Sequence, residues 1–375
     1  MFGKKFKIFK ILGFEVGIDL SWLVIAALIV WSFATGIFPH FYPGLPSYYY
    51  WIMGIVGAVG FFLSLIFHEL THSLFARKYG IRIKGITLFI FGGVAQMEEE
   101  PKTPIAEFVM AIAGPLSSFL LAGIFYILHF FAKQIGLTVI LTGIFHYLSI
   151  INVFLAIFNL IPAFPLDGGR VLRSILWKIK KDVIWATKIA SRLGIVFGTV
   201  LIILGIINVF TGGDFIDGLW SVLIGMFLNN ASNSSYRQLV IKTLLENENV
   251  SRFITSPITV VPAISIKQFI EGYVYKYYSR MFPVVDEGKL LGCAHINSVK
   301  NIPKNKWDII TVKEVIKNCS PENTVSPQDS VFKALMIMNR TGNSQLMVTE
   351  GENLAGMIAQ KDITKFLDLK QEVGN

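Results

Sequence analysis

The run Tyr50–Arg77 constrains this chain most, because it is apolar for most of its length and yet carries His68, Glu69 and His72. A segment that enters hydrocarbon must have its N–H and C=O groups satisfied, and a continuous apolar run of this length reads as a helix. Residues four apart stand one turn up the same face of that helix, and two imidazoles so placed reach a common point. His68-Glu69-Leu70-Thr71-His72 has the HExxH spacing. It offers two nitrogen ligands for a metal ion and, beside the first, a carboxylate that can act on water as general base. HExxH also arises by chance, and a histidine inside a protein is commonly a hydrogen-bonded core residue. Ionisable groups inside a lipid-embedded helix are costly, however, and mark function. Three of them at ligand spacing favour a metal site.

Two histidines do not complete a catalytic zinc site, which usually takes three protein ligands and keeps one position for water. The segment Asn159–Arg170, NLIPAFPLDGGR, supplies a candidate where the fourth apolar run ends. Pro162 and Pro165 stop the helix and leave carbonyls in need of partners, which is tolerable only away from lipid. Gly168 and Gly169 open backbone conformations closed to other residues, and so would let Asp167 turn inward. Taken alone, the segment reads as a helix end followed by a turn. Beside an intramembrane HExxH, it makes Asp167 the third-ligand candidate.

The rest of the composition fits a membrane setting. Of 375 residues 53% are hydrophobic and 16% charged, which leaves room for a soluble domain behind a membrane one. A net charge of +9 would suit nucleic acid, but the basic residues fall where membrane topology puts them. Apolar runs lie at about Leu20–Phe38, through the HELTH helix, and at about Pro104–Ala132, Leu137–Leu160, Val183–Phe210 and Phe215–Leu228. Arg77, Lys78, Arg82 and Lys84 follow the second run, and Arg170, Arg173, Lys178, Lys180 and Lys181 follow the fourth. The positive-inside rule then gives six spans with both termini cytoplasmic, against the single outer charge of Lys133. The opening segment MFGKKFKIFKIL is basic and amphipathic, and no small-residue cleavage site follows the first run, which reads as an uncleaved span. Ile81–Gln96 alternates and is rich in β-branched residues, with Gly92–Gly93 as a turn or close-approach point. Such a hairpin either holds an extended peptide along its edge or simply caps the cytoplasmic face. Glu98, Glu99 and Glu100 read as a solvated acidic run. His40, His129, His146 and His295 lack a partner at ligand spacing and read as structural, with a water path as the alternative for His146. Cys293 and Cys319 imply neither a disulfide framework nor a thiolate metal site.

The pair HELTH and NLIPAFPLDGGR resembles the site-2 protease family of intramembrane zinc metalloproteases, peptidase family M50. The resemblance covers about Leu12–Asn230. It implies one zinc ion per chain held by His68, His72 and Asp167, with Glu69 as base and Asn159 near the substrate or oxyanion. It also implies a re-entrant β-segment, and transmembrane segments of other proteins as substrates. Gly92-Gly93-Val94-Ala95 and Ala113-Gly114-Pro115 stand where the family carries Gly-rich signatures, and no loop holds a PDZ-like insertion.

After about Asn230 the composition changes. A polar stretch, Asn229–Ser235, reads as a linker leading into a charged helix to about Glu248. Beyond it the chain repeats itself: ITVVPAIS at Ile258–Ser265 echoes NTVSPQDS at Asn323–Ser330, and Phe282–Gly292 echoes Leu346–Gly356. This half resembles a tandem pair of CBS domains, which implies adenine nucleotide (ATP, ADP or AMP) in the cleft. The family's ribose-binding Asp matches Asp362, whereas Ser298 holds the equivalent place in the first repeat and Ala359 stands where Thr or Ser is common. The alternative is an interaction or homodimerisation module without ligand.

The expected architecture is therefore a membrane α-helical domain at 1–230 with about six spans and a membrane-associated β-hairpin. A linker at 231–249 and an α/β tandem CBS pair at 250–375 follow, with repeats at about 250–305 and 312–370. The expected function is intramembrane zinc proteolysis in the lipid bilayer of a cell membrane, regulated by the CBS pair, with no nucleic-acid partner. A CBS-regulated transporter or channel would explain the C-terminal half, but not HExxH together with Asp-Gly-Gly. An inactive metal-binding scaffold is the third alternative, and the complete motif set weighs against it.

Overall fold

A computed structural model describes residues 6–90, 92–97, 100–300, 302–351 and 353–373, in two compact units that divide between Tyr236 and Arg237. Glu98 and Glu99 of the acidic run and the first five residues of the basic segment lie outside the described residues.

In the first unit two short strands, β1 (Phe6–Ile11) and β2 (Phe14–Ile18), precede the helices α1 (Leu20–Phe41) and α2 (Ser47–Lys78). Strands β3 (Ile83–Phe89) and β4 (Gly92–Met97) follow. The expected hairpin is thus half of a four-stranded sheet in the order β1-β2-β3-β4, with β2 and β3 parallel from Glu15↔Gly85 to Ile18↔Leu88. The other half comes from the N-terminal segment, where β1 runs antiparallel to β2 with a register shift between Lys7 and Phe9. Phe14 packs with Leu70 and Ile86, seating the sheet on α2. Gly85 is required at the parallel crossing, because a Cβ there would fall 2.4 Å from the Glu15 carbonyl oxygen.

Helices α3 (Pro104–Gln134) and α4 (Val139–Asn159) form a hairpin. Thr103 caps α3 by accepting from the Ala106 N–H, and Pro104 takes the first helical position, where its missing N–H costs nothing. The proline-broken loop 160–166 then leads into α5 (Asp167–Lys180), a short amphipathic helix, and on to α6 (Val183–Phe210) and α7 (Phe215–Glu246). Among the described residues five helices, α1 to α4 and α6, are long and apolar enough to cross a membrane.

The sixth apolar run, Phe215–Leu228, is the first half of α7, and the polar stretch read as a linker is helical in the second half. Three of its side-chain donors have partners in the fold. Ser232 Oγ donates to the Phe164 carbonyl at 2.5 Å, Asn229 Nδ2 to Thr199 Oγ1 at 3.3 Å, and Asn233 Nδ2 to the Asn229 carbonyl at 3.1 Å. Small residues let α6 and α7 touch backbone to backbone: a Cβ on Gly225 would lie 2.4 Å from the Gly198 carbonyl oxygen.

The second unit repeats one motif. Strands β5 (Met281–Asp286) and β6 (Lys289–His295) make a hairpin; β7 (Thr324–Val325) and α8 (Val331–Thr341) lead to its counterpart, β8 (Gln345–Glu350) and β9 (Asn353–Ala359). Helix α9 (Gln360–Val373) closes the chain. The correspondence reaches fine detail. Both hairpins shift register at the same place, Val284/Val285 and Val348/Thr349, and the following glycines Gly292 and Gly356 sit at φ +152° and +158°. Each repeat has its own core, around Phe269, Phe282 and Val284 in the first and Val331, Leu346 and Ile358 in the second. Met281, Cys293, Met347 and Met357 fill the space between the two hairpins. Burial pushes the Cys293 thiol up to about 11, so it stays a packing group at neutral pH.

Candidate metal centre

Helix α2 delivers His68 and His72 on one face, as i,i+4 spacing requires, and both rings meet the same face of α3. That face carries Met110, Gly114 and Ser118. His72 Nδ1 lies 2.7 Å from the Met110 carbonyl, which only accepts, so this nitrogen is the donor and Nε2 of the neutral ring keeps its lone pair. His68 Nδ1 lies 2.8 Å from Ser118 Oγ, and donation there leaves its Nε2 free in the same way. The two Nε2 atoms are 3.0 Å apart, and each is 3.1 Å from Asp167 Oδ2.

Three electron-pair donors, two imidazole and one carboxylate, thus form a nearly equilateral triangle. His68 is 2% exposed, with His72 at 12% and Asp167 at 14%. Left to themselves, lone pairs so arranged repel one another. A cation at their centre turns that arrangement into a site. For zinc bonds of about 2.0–2.1 Å, the edge of a ligand tetrahedron is about 3.3 Å. The observed edges are close to that, and the donor set fits a divalent ion of zinc's type. The room for it comes from Gly114: a Cβ there would lie 2.2 Å from His72 Nε2 and 2.6 Å from His68 Nε2.

Asp167 reaches the triangle as the first residue of α5, by a route other than the one its neighbours suggest. Gly168 and Gly169 are ordinary helical residues without positive φ. Close approach is what they permit. A Cβ on Gly168 would fall 2.1 Å from the Leu160 carbonyl oxygen, and one on Gly169 2.3 Å from the Phe164 nitrogen. The helix start therefore packs directly on the backbone of loop 160–166, in which the Phe164–Pro165 peptide is cis.

Glu69 lies beside the first ligand and against β4, where a Cβ on Gly93 would come 2.7 Å from its Cγ. The glycine pair expected as a turn or close-approach point serves as both. Gly92, at φ +129°, belongs to the turn, and Gly93 lets the strand lie against the carboxylate. Asn159 closes α4 with its amide donating to the Leu155 carbonyl at 2.9 Å. Asp362 stands in the first turn of α9, half-buried, and Ser298 in the corresponding short helix Ile296–Val299. His129 and His146 stack with ring centroids 4.9 Å apart, His129 on the Thr142 carbonyl and His146 beside the Tyr42 hydroxyl. Met110 and Ser118, which orient both rings, were not legible beforehand, since nothing in a sequence marks which helix will face the HExxH helix.

The profile of peptidase family M50 matches residues 56–139 and 133–204, and that of the CBS domain residues 309–369. A zinc metalloprotease of Methanocaldococcus jannaschii is 31% identical over 98% of this chain and 98% of its own. The chain belongs to peptidase family M50. The Rip3 relative of Mycobacterium tuberculosis agrees in extent, at 32% identity over 96% of this chain and 92% of its own. A solved site-2 protease from M. jannaschii is 29% identical and covers 62% of this chain and 94% of its own, with a TM-score of 0.43. Members of family M50 are integral to membranes, and the apolar helices of this chain accord with that.

Proposed function

We propose that this chain is an intramembrane zinc endopeptidase that cuts transmembrane segments of other membrane proteins, with His68, His72 and Asp167 as zinc ligands and Glu69 as the base. The observation that carries this reading is the convergence of three donor atoms, 3.0–3.1 Å apart, from sites as distant in sequence as His68 and Asp167. Zinc, when bound, supplies Lewis acidity, which makes water nucleophilic near neutral pH and polarises a carbonyl. The chain's own groups do the remainder. Met110 and Ser118 hold the rings, Gly114 leaves room, and Glu69 accepts the proton released as water attacks and returns it to the departing amide nitrogen.

The position of β4 suggests how substrate is presented. It is an edge strand of the sheet, and it lies against Glu69 through Gly93. An extended peptide added along that edge would run past the base, its backbone groups satisfied by those of β4. Asn159, at the end of α4, is assigned to the substrate side of the site. The topology proposed is multi-pass with both termini cytoplasmic. The CBS pair is assigned a regulatory role, with adenine nucleotide bound near Asp362 and homodimerisation through the same unit.

Cleavage of single-span membrane peptides by purified protein in detergent, with zinc content measured, tests the reading. Wild type should cut, Glu69→Gln should keep zinc and stop cutting, and Asp167→Asn should lose zinc. A wild-type preparation that holds no zinc under zinc-replete conditions refutes it and returns the transporter and scaffold alternatives. Titration of the full chain with ATP, ADP and AMP tests the nucleotide assignment; heat that is unchanged by Asp362→Ala would remove Asp362 from it.

A further inference from the structure

A second buried polar feature lies beside the metal centre. Glu107, in the first turn of α3, is fully buried, and its Oε1 accepts from Arg173 Nε at 2.6 Å and from Nη2 of the same guanidinium. Its other oxygen, Oε2, is buried without a hydrogen-bond partner. Arg173, on α5, is 5% exposed, and its guanidinium carbon lies 5.0 Å over the Phe164 ring. In the sequence Arg173 is one of the basic residues that mark a cytoplasmic flank. In the fold it is an internal group.

Its neighbours give it a task. Glu107, Met110, Gly114 and Ser118 follow one another at helical spacing along one face of α3. The last three set the two imidazoles. Helix α5 begins at Asp167, and six residues on, about 9 Å along the axis, Arg173 meets that same face of α3 at Glu107. The other supports of Asp167 come from elsewhere. Gly168 and Gly169 rest on loop 160–164, and that loop is tied to α6 and α7 through Phe164, whose N–H donates to the Ala190 carbonyl at 3.3 Å and whose carbonyl accepts from Ser232.

We propose that the Glu107–Arg173 pair is a positioning device, which sets where α5 stands on α3 and so where Asp167 stands relative to His68 and His72. The proposal rests on these three residues being the zinc ligands. A buried ion pair is poor as glue, since an apolar pair of similar volume often serves stability as well or better. An apolar pair tolerates sliding, whereas a charge-assisted bond from a planar guanidinium to one carboxylate oxygen does not. A metal site tolerates displacements of only about 0.2 Å in its ligand distances. Neither residue belongs to the donor cluster of His68, His72 and Asp167, so both act through Asp167.

The test uses the full chain in detergent as wild type, Glu107→Gln, and the double variant Glu107→Leu with Arg173→Met. Three quantities are read: the zinc dissociation constant by chelator competition, the melting temperature, and kcat and KM on a single-span membrane peptide. The double variant should melt near the wild-type temperature yet bind zinc at least about tenfold more weakly, the lower end of what outer-shell partners of metal sites give. Its kcat should fall while KM stays within about twofold, because α5 is displaced and the β4 edge is not. Glu107→Gln, which leaves a buried cation half-paired, should lose both zinc affinity and stability; where it does not fold, the double variant carries the test. A double variant that melts, binds zinc and turns over like wild type overturns the proposal and makes the pair packing alone. A wild type without zinc fails differently: it removes the metal centre itself.

Discussion

Gly114→Ala puts the metal centre under the most direct strain available, with a single methyl group. In the middle of a helix such a change ordinarily stabilises by about 0.4–1 kcal/mol, because alanine leaves the unfolded chain less freedom to lose. At Gly114 the added carbon would stand 2.2 Å from His72 Nε2, 2.5 Å from His72 Cε1 and 2.6 Å from His68 Nε2. Ordinary contact begins near 3.4 Å, so the His72 ring has to retreat by about 1 Å. It cannot do so freely. Its Nδ1 is bonded to the Met110 carbonyl at 2.7 Å, and the His68 ring is likewise held at Ser118. A retreat several times the tolerance of a zinc–ligand distance, about 0.2 Å, amounts to loss of a ligand. We expect zinc affinity to fall at least about a hundredfold, or about 2.7 kcal/mol. Gly123→Ala is the matched control on the same helix, since a Cβ there meets nothing within 4 Å. Zinc affinity by chelator competition, circular dichroism and peptide cleavage should separate the two, with helix content kept in both. A Gly114→Ala protein that binds zinc and cleaves as the Gly123→Ala control does would refute the placement of the rings against α3.

Other consequences are smaller and independent. Gly93→Ala should displace the Glu69 carboxylate, whose Cγ is 2.7 Å from the added carbon, and cut turnover about 10²-fold or more with zinc retained. Ser118→Ala removes the partner of His68 Nδ1 and should weaken zinc about 10- to 100-fold without touching the ligands, measured by the same competition. In the second unit Glu248 accepts from Lys370 at 2.7 Å and from Arg252 at 2.8 Å, and these bonds hold its carboxyl below the ordinary range. A depressed carboxylate contributes stability above its unfolded pKa and loses it as pH falls through the folded one. Glu248→Gln should therefore cost up to about 1 kcal/mol at pH 7 and progressively less in acid, read from melting curves of both proteins. A gap that does not close with acidification would show that the bonds are not what matters.

What the sequence discloses about the site follows from range. His68 and His72 are legible because one helix turn joins them, and Asp167 because prolines and glycines in an apolar chain need a reason. Gly114 stands in a recognisable Ala-Gly-Pro, but its task depends on which face of α3 meets α2, a contact no local pattern encodes. The pairing of β2 with β3 joins residues some seventy positions apart, and the opening segment reads as basic and amphipathic without telling of a strand or its partner. The polar stretch after Asn229 reads as a linker because its hydrogen bonds are made to Thr199 and Phe164, both distant in sequence. Arg173 counts as a flank charge until Glu107 is found opposite. The internal repeat of the second unit was visible down to its glycines, since a duplicated hairpin carries its own comparison.

The parallel pairing of β2 with β3 has a consequence for how the protein is made. β2 leaves the ribosome ahead of α1, and its partner only after α2 is complete, so in the multi-pass topology proposed above the strand waits while two apolar helices are inserted as a hairpin. Hydrogen bonds cannot cross a bilayer, so the two strands must end on the same side of it. Backbone pairing thus acts as a proofreader of insertion that does not count charges. A chain whose first helix enters in the wrong direction has no partner for β2 and leaves β3 with a bare edge on the side away from β4.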